Sequence, residues 1–234
     1  MAQHAGAAGP DTTPPGPAPL QRHILAEDVY EAVKAMVMDH VIEPGARMSI
    51  DGIARILGVS PTPIREALAR LESDGLVVKQ ALRGYSATPV LSAAELADLF
   101  QLRRLIEPWG AAQAARRMDD AARQAIEAEL ATVLDIPDGA SRYDAYKALA
   151  AHDARFHDLV LQLAGNGAVR AAFERTHCHL HLFRLFYASG LGGQALREHR
   201  DIARALVSGD ADAAAAAMTA HLSASEQRLR GAAE

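Results

Sequence analysis

Residues 60–77, SPTPIREALARLESDGLV, constrain the fold more than any other stretch of this chain. Ser60 is placed to cap a helix, and Pro61 falls at its first position, where a missing N–H costs nothing. Ile64, Ala67, Leu68 and Leu71 recur in steps of three and one or four and give that helix one apolar face. Gly75 stops it. Leu76-Val77-Val78 then predicts a short strand and Tyr85 to Val90 its partner, with Arg83-Gly84 at or near the turn. Upstream, Ser49 caps a short helix over Ile50–Leu57, which Gly58 can close in the left-handed conformation. Before it, Val29, Val33, Met36, Val37 and Val41 give a first helix from about Ala26 to His40, ended by Glu43-Pro44-Gly45. Two helices across a tight turn plus a β-wing predict a winged helix-turn-helix, which sets its second helix against a DNA groove.

Such a helix reads DNA through side chains near its N-terminus, where free N–H groups also meet phosphate. Ser60, Thr62 and Arg65 stand there, and Arg65 is the candidate for a bidentate base or phosphate contact. Arg70 lies more than a turn later and is expected on the DNA backbone. Arg55 and the wing residues Arg83 and Gly84 can approach the backbone or minor groove. A small helical pair with surface arginines would share part of this pattern; the succession of caps, stripe, glycine stop and wing favours the DNA reader.

Charge alone would not suggest it. The net charge is −5. From Arg55 to Val90, however, five basic residues face three acidic ones, and a dimer would double that local patch. Residues 1–21 are mostly Ala, Gly, Pro and Thr and are expected to form a tail without order. The winged domain then covers 22–90. No run of 18 apolar residues exists, so no membrane span is expected. No secretory signal is visible, and the one cysteine, Cys178, cannot pair internally; both fit the cytoplasm.

After Val90 the pattern becomes wholly helical, so the expected fold class is mainly α, with an all-helical domain over 91–234. Ser92 and Glu95 form a capping box. Helices are expected at roughly 92–117, 119–134, 142–164, 168–188, 194–208 and 211–230, with Pro108 kinking or splitting the first. The turn signals are Pro137-Asp138-Gly139, Gly165-Asn166-Gly167, Ser189 to Gly193 and Ser208-Gly209-Asp210.

Three of these helices carry an anomaly. In the stripe Tyr146, Leu149, 153, Phe156, Val160, Leu163, position 153 should be apolar but is Asp, with His157 one turn on. In Leu196, 199, Ile202, Ala203, Leu206, position 199 is His. In Ala214, Met218, 221, Leu222, Ser225, Leu229, position 221 is His. A single inward histidine is often a hydrogen-bonded core residue, and Asp153 could pair with an arginine. Four inward polar groups on three helices favour mutual satisfaction or a metal, because an unpaired buried Asp or His is costly. One carboxylate and three imidazoles suit Zn, Ni, Fe or Mn. Arg103 and Glu107 lie at the edge of the stripe Leu96, Leu99, Leu102, Ile106. They predict either a carboxylate-binding arginine or an i, i+4 salt bridge. The run His177-Cys178-His179-Leu180-His181 lacks zinc-finger spacing. On one continuous helix its histidines flank the stripe, so none is counted as a ligand.

The runs IARILGVSPTPIREALARLESDGLV and RGYSATPV resemble the N-terminal domain of the GntR family of bacterial regulators. By that resemblance Thr62, Arg65 and Gly84 contact DNA. Asp51 and Pro61 stand where FadR-like members can carry arginines, so those two contacts do not transfer. FQLRRLIE, HDARFHDLVLQLAGN, EHRDIARAL and MTAHL resemble the FCD effector domain of the FadR branch, in the shorter VanR-like form. The resemblance implies that Asp153, His157, His199 and His221 hold a divalent metal, often zinc. It also implies a small carboxylate effector near Arg103, Glu107 and Asn166. The expected molecule is a homodimeric, ligand-responsive repressor of a near-palindromic operator. A metal-dependent hydrolase and a pure metal sensor are the rival readings.

Overall fold

The computed structural model describes residues 19–133, 142–185 and 192–230. Helix α1 (Pro19–Met38) comes first. It starts before the expected Ala26 because Pro19 suits a first helical turn and Leu20, Gln21 and Arg22 are good helix formers. Strand β1 (Arg47–Met48), helix α2 (Ile50–Leu57) and helix α3 (Pro61–Ser73) follow, then the wing strands β2 (Val77–Gln80) and β3 (Gly84–Ala87).

The caps are largely those the sequence predicts. Ser49 accepts from Gly52 N, and Gly58 closes α2 at φ 66°. Ser60 takes the N-cap backbone position of α3, but its hydroxyl makes no capping bond; Pro63, at the third helical position, removes one of the two N–H groups that a cap hydroxyl accepts from. Ile64, Leu68 and Leu71 are fully buried, each contributing roughly 1.5–3 kcal/mol by burial.

The sheet has three antiparallel strands in the order β1-β3-β2. Strand β1 has no counterpart in the sequence reading. Only two residues long, it pairs Arg47 with Ser86 and Met48 with Tyr85, too short to leave a periodic signal. The hairpin turns one position early, with Leu82 at φ 63° and Gly84 already in β3.

The helical part comprises α4 (Ala93–Arg116), α5 (Asp120–Leu130), α6 (Tyr143–Leu163), α7 (Gly167–Glu174), α8 (Cys178–Leu185), α9 (Gly192–Val207) and α10 (Ala211–Arg230). The Ser92–Glu95 capping box is present in both directions. Pro108 does not split α4; packing against α6, α9 and α10 holds the helix through the lost hydrogen bond. The expected turn at Pro137–Gly139 lies outside the described residues, as does most of Ser189–Gly193.

Two further expectations are corrected. The helix predicted over 168–188 is two helices, broken around Thr176-His177, with His177 at φ 48°. The buried face of α4 is also rotated from the expected stripe. It presents Leu96, Phe100, Arg103, Glu107, Ala111 and Ala114 inward, while Leu102, Leu105 and Trp109 stay exposed.

A core of Val33, Val37, Ile64 and Leu68 is continuous with Tyr143, Tyr146, Leu149, Phe183 and Leu196 of the helical part. The two parts are therefore joined by apolar packing, not only by the 88–92 segment. Asp39 Oδ1 accepts from Tyr143 N at 2.6 Å across the same seam.

Candidate metal centre and DNA interface

Helix α6 supplies Asp153 and His157 one turn apart, α9 supplies His199, and α10 supplies His221. All four are buried, and one ligand atom from each lies within 4.8 Å of the others. Asp153 Oδ1 is 3.4 Å from His199 Nε2 and 3.9 Å from His157 Nε2.

The hydrogen bonds behind these rings fix which nitrogen is bare. His157 Nδ1 contacts Glu107 Oε2, and His221 Nδ1 contacts Glu198 Oε2 at 2.8 Å. An ionised carboxylate can only accept, so each Nδ1 carries the proton and each Nε2 keeps a lone pair. Burial pushes the His157 ring down to about 3, against the pull of Glu107, so it stays neutral. Burial would raise the Asp153 carboxyl, but His179, whose Nδ1 lies against its other oxygen, outweighs it and holds it well below the usual range. Nε2 of His157 and of His199 are buried and have no hydrogen-bond partner. Lone pairs facing a carboxylate in a dry interior are costly unless a cation lies between them. The donor set of three imidazoles and one carboxylate fits a divalent metal with open positions. Carboxylates behind ligating imidazoles are the usual support for such a centre.

The surroundings correct part of the sequence reading. Arg103 Nε donates to Glu107 Oε1 at 2.5 Å, and both side chains are almost wholly buried. The pair is an internal salt bridge, and Glu107 is further engaged with His157. Burial opposes ionisation of Glu107, yet Arg103 and His157 hold it far below the usual carboxylate range. Asn166 does not line the centre. It caps α7, accepting from Ala168 N and Val169 N.

Arg103 nevertheless lines a cavity of about 30 Å³ with Asp153, His221, Ser225 and Arg228. Arg228 donates to Glu198 at 2.7 and 2.9 Å.

Several partners escaped the sequence reading. His179 Nδ1 lies 2.6 Å from Asp153 Oδ2. The break at His177 aims it there, which a continuous helix would not. His152 lies behind His199, and Glu129 behind His152. His152 was legible, since 149, 152 and 156 are one helical stripe, but the neighbouring Asp153 drew the assignment.

In the winged part, Arg55, Ser60, Thr62, Arg65, Arg83 and Gly84 are all exposed. Among the described residues Arg55, Arg65 and Arg83 make no internal ion pair. Arg70, expected on the DNA backbone, is exposed as well but has partners within the molecule. It donates to Glu27 at 2.8 Å and stacks 3.8 Å over the Tyr30 ring, tying α3 to α1.

No helix among the described residues is long and apolar enough to cross a membrane. Residues 25–86 match the bacterial regulatory proteins, gntR family, and residues 98–224 match the FCD domain. The chain is 26% identical over 204 residues to the uncharacterized HTH-type transcriptional regulator YdhC of Bacillus subtilis, covering 86% of this chain and 89% of that one. It is 29% identical over 237 residues to the Uxu operon transcriptional regulator of Escherichia coli, covering 87% and 88%. In structure it resembles E. coli McbR/YncC, with a TM-score of 0.61 at 16% identity, over 88% of this chain and 96% of that one. The relatives are named as regulators of transcription, which favours the regulator over the hydrolase. The winged domain is a DNA-binding unit, the helical domain carries a buried cluster able to hold a metal, and the chain belongs to the GntR family of bacterial transcriptional regulators, as a member with an FCD domain.

Proposed function

We propose that this regulator is a cytoplasmic, homodimeric repressor, released from a near-palindromic operator by a small carboxylate effector bound at a zinc ion in the helical domain. The observation that carries this reading is the convergence of the Asp153 carboxylate with three imidazoles, two of them with bare, buried Nε2 atoms, next to a small cavity lined by Asp153, His221, Arg103 and Arg228. Asp153, His157, His199 and His221 would hold the ion. Bound there, zinc supplies a Lewis-acid anchor for an anionic oxygen. Arg228 and Ser225 would orient the rest of the molecule, and the apolar wall of Leu149, Leu182, Phe183 and Leu229 would exclude water.

A cavity of about 30 Å³ has room for roughly one water. An effector larger than that must displace Leu182 and Phe183 of α8 or Leu229 of α10. Helix α8 also reaches the DNA-reading part. Arg184 donates to Thr88 Oγ1 and Thr88 O, each at 2.8 Å. A Cβ added at Gly75, just past the end of α3, would lie 3.1 Å from His177 and 3.3 Å from His181. An effector that moves α8 therefore binds two arrangements of the molecule with different contacts, which linkage requires.

The test is the metal content of purified protein kept free of chelator, beside Asp153→Ala and His199→Ala. About one divalent ion per chain, lost in both variants, is expected for a single centre of this kind. Protein without metal overturns the reading. Operator binding is then measured with metal alone and with added small carboxylates. Release by metal alone would make the ion itself the signal.

A further inference from the structure

Behind His199 stands a chain of polar groups that ends at the protein surface. His199 Nδ1 lies 3.1 Å from His152 Nε2. His152 Nδ1 lies 2.9 Å from Glu129 Oε1. Glu129 is gripped in turn by Arg155, whose Nε and Nη2 donate at 3.0–3.2 Å. Thr132 Oγ1, which donates to the Glu129 carbonyl oxygen at 2.7 Å, lies 3.2 Å from the same carboxylate oxygen. His152 and His199 are fully buried.

The order of donors and acceptors along this chain has one consistent solution for neutral rings. Arg155 has no acceptor atom, so it holds Glu129 as an acceptor-only carboxylate. His152 Nδ1 must then carry the proton it gives to Glu129, which leaves His152 Nε2 as an acceptor. His199 Nδ1 must donate to that acceptor, and His199 Nε2 is left with its lone pair. That atom is buried, has no hydrogen-bond partner, and lies 3.4 Å from Asp153 Oδ1. His157 and His221 reach the same state by leaning directly on Glu107 and Glu198. His199 has no carboxylate behind it and obtains the same result through a second imidazole.

We propose that Glu129 and His152 are positioning residues that lock His199 in the Nδ1–H tautomer with Nε2 bare toward the Asp153 cluster. This rests on the metal reading given above for what the bare nitrogen serves, but the tautomer itself needs no metal. The relay also accounts for Arg155, which lies half exposed on α6 and keeps Glu129 ionised.

The experiment uses the full chain with ¹⁵N-labelled histidine. Long-range ¹H–¹⁵N correlation spectra of metal-free protein report the tautomer of each ring, and cobalt(II) titration reports affinity and the d–d absorption of the ion. The wild type should show His199 protonated at Nδ1 and not at Nε2. His152→Phe keeps a ring of similar shape but removes the acceptor. It should move His199 toward Nε2–H, change the cobalt absorption and lower cobalt affinity about 10–100-fold. His152→Gln offers a side-chain oxygen where Nε2 stood and should recover the tautomer and most of the affinity. It also carries the test if the Phe variant does not fold. A wild-type His199 protonated at Nε2 overturns the proposal. So does a His152→Phe protein with unaltered cobalt affinity and absorption, or a folded Gln variant with His199 protonated at Nε2. A wild type that shows the Nδ1–H tautomer yet takes up no cobalt overturns the metal reading and the positioning role, while the hydrogen-bonded relay stands.

Discussion

The Glu107 carboxylate sits between the Arg103 guanidinium and the His157 ring, and all three are almost wholly buried. It neutralises a buried cation and fixes the tautomer of an inward histidine. Glu107→Ala would leave Arg103 charged and unpartnered in the core. Removing one member of a buried pair costs about 3–5 kcal/mol, and that loss is the expected shift in urea denaturation. An effect under about 1 kcal/mol, the scale of exposed pairs, would show that Arg103 finds another partner. Arg70 makes the opposite point. Its pairing with Glu27 is exposed, so it is a local tie between α1 and α3, not a large source of stability.

Among the elements, the break between α7 and α8 has the widest consequences. Residues 168–188 have no proline or glycine to stop a helix. The chain nevertheless turns with His177 in the left-handed region, and Cys178 N donates to the Thr176 hydroxyl oxygen at 3.3 Å. The turn directs His179 to Asp153 and sets His177 and His181 against Gly75. A β-branched residue is disfavoured in that conformation, whereas glycine is not. His177→Val should lose about 1–2 kcal/mol in chemical denaturation, and His177→Gly should lose less. Equal stability of the two variants would show that the left-handed turn is not what the position demands.

The whole molecule leaves one apolar stripe without a partner among the described residues: Leu102, Leu105 and Trp109 on the outer face of α4. These positions are spaced by three and four and share one side of the helix. They support the proposed dimer, in which two winged domains would read two half-sites. Leu105→Glu combined with Trp109→Glu should give a monomer by light scattering, with helicity unchanged and operator affinity reduced. A dimer that survives both charges would place the interface elsewhere.

The sequence by itself determined the winged helix-turn-helix, the helical domain, the caps at Ser49 and Ser92 and four inward polar residues on three helices. Each rests on local rules: side-chain periodicity, cap chemistry, and the cost of burying an unpaired polar group. Only the tertiary structure decided which of those groups face one another. Glu107, Glu198, Glu129 and His152 take their roles from residues 23 to 50 positions away, and no helical period carries that information. The same holds for His179, redirected by a break that packing imposes, and for α4, whose Arg103–Glu107 face turned inward because His157 lay opposite to receive it. Asn166 caps α7 and Arg70 pairs with Glu27 of α1, partners that no helical period announces. Local sequence sets which groups are able to be buried; the global packing of helices sets which partner each one meets.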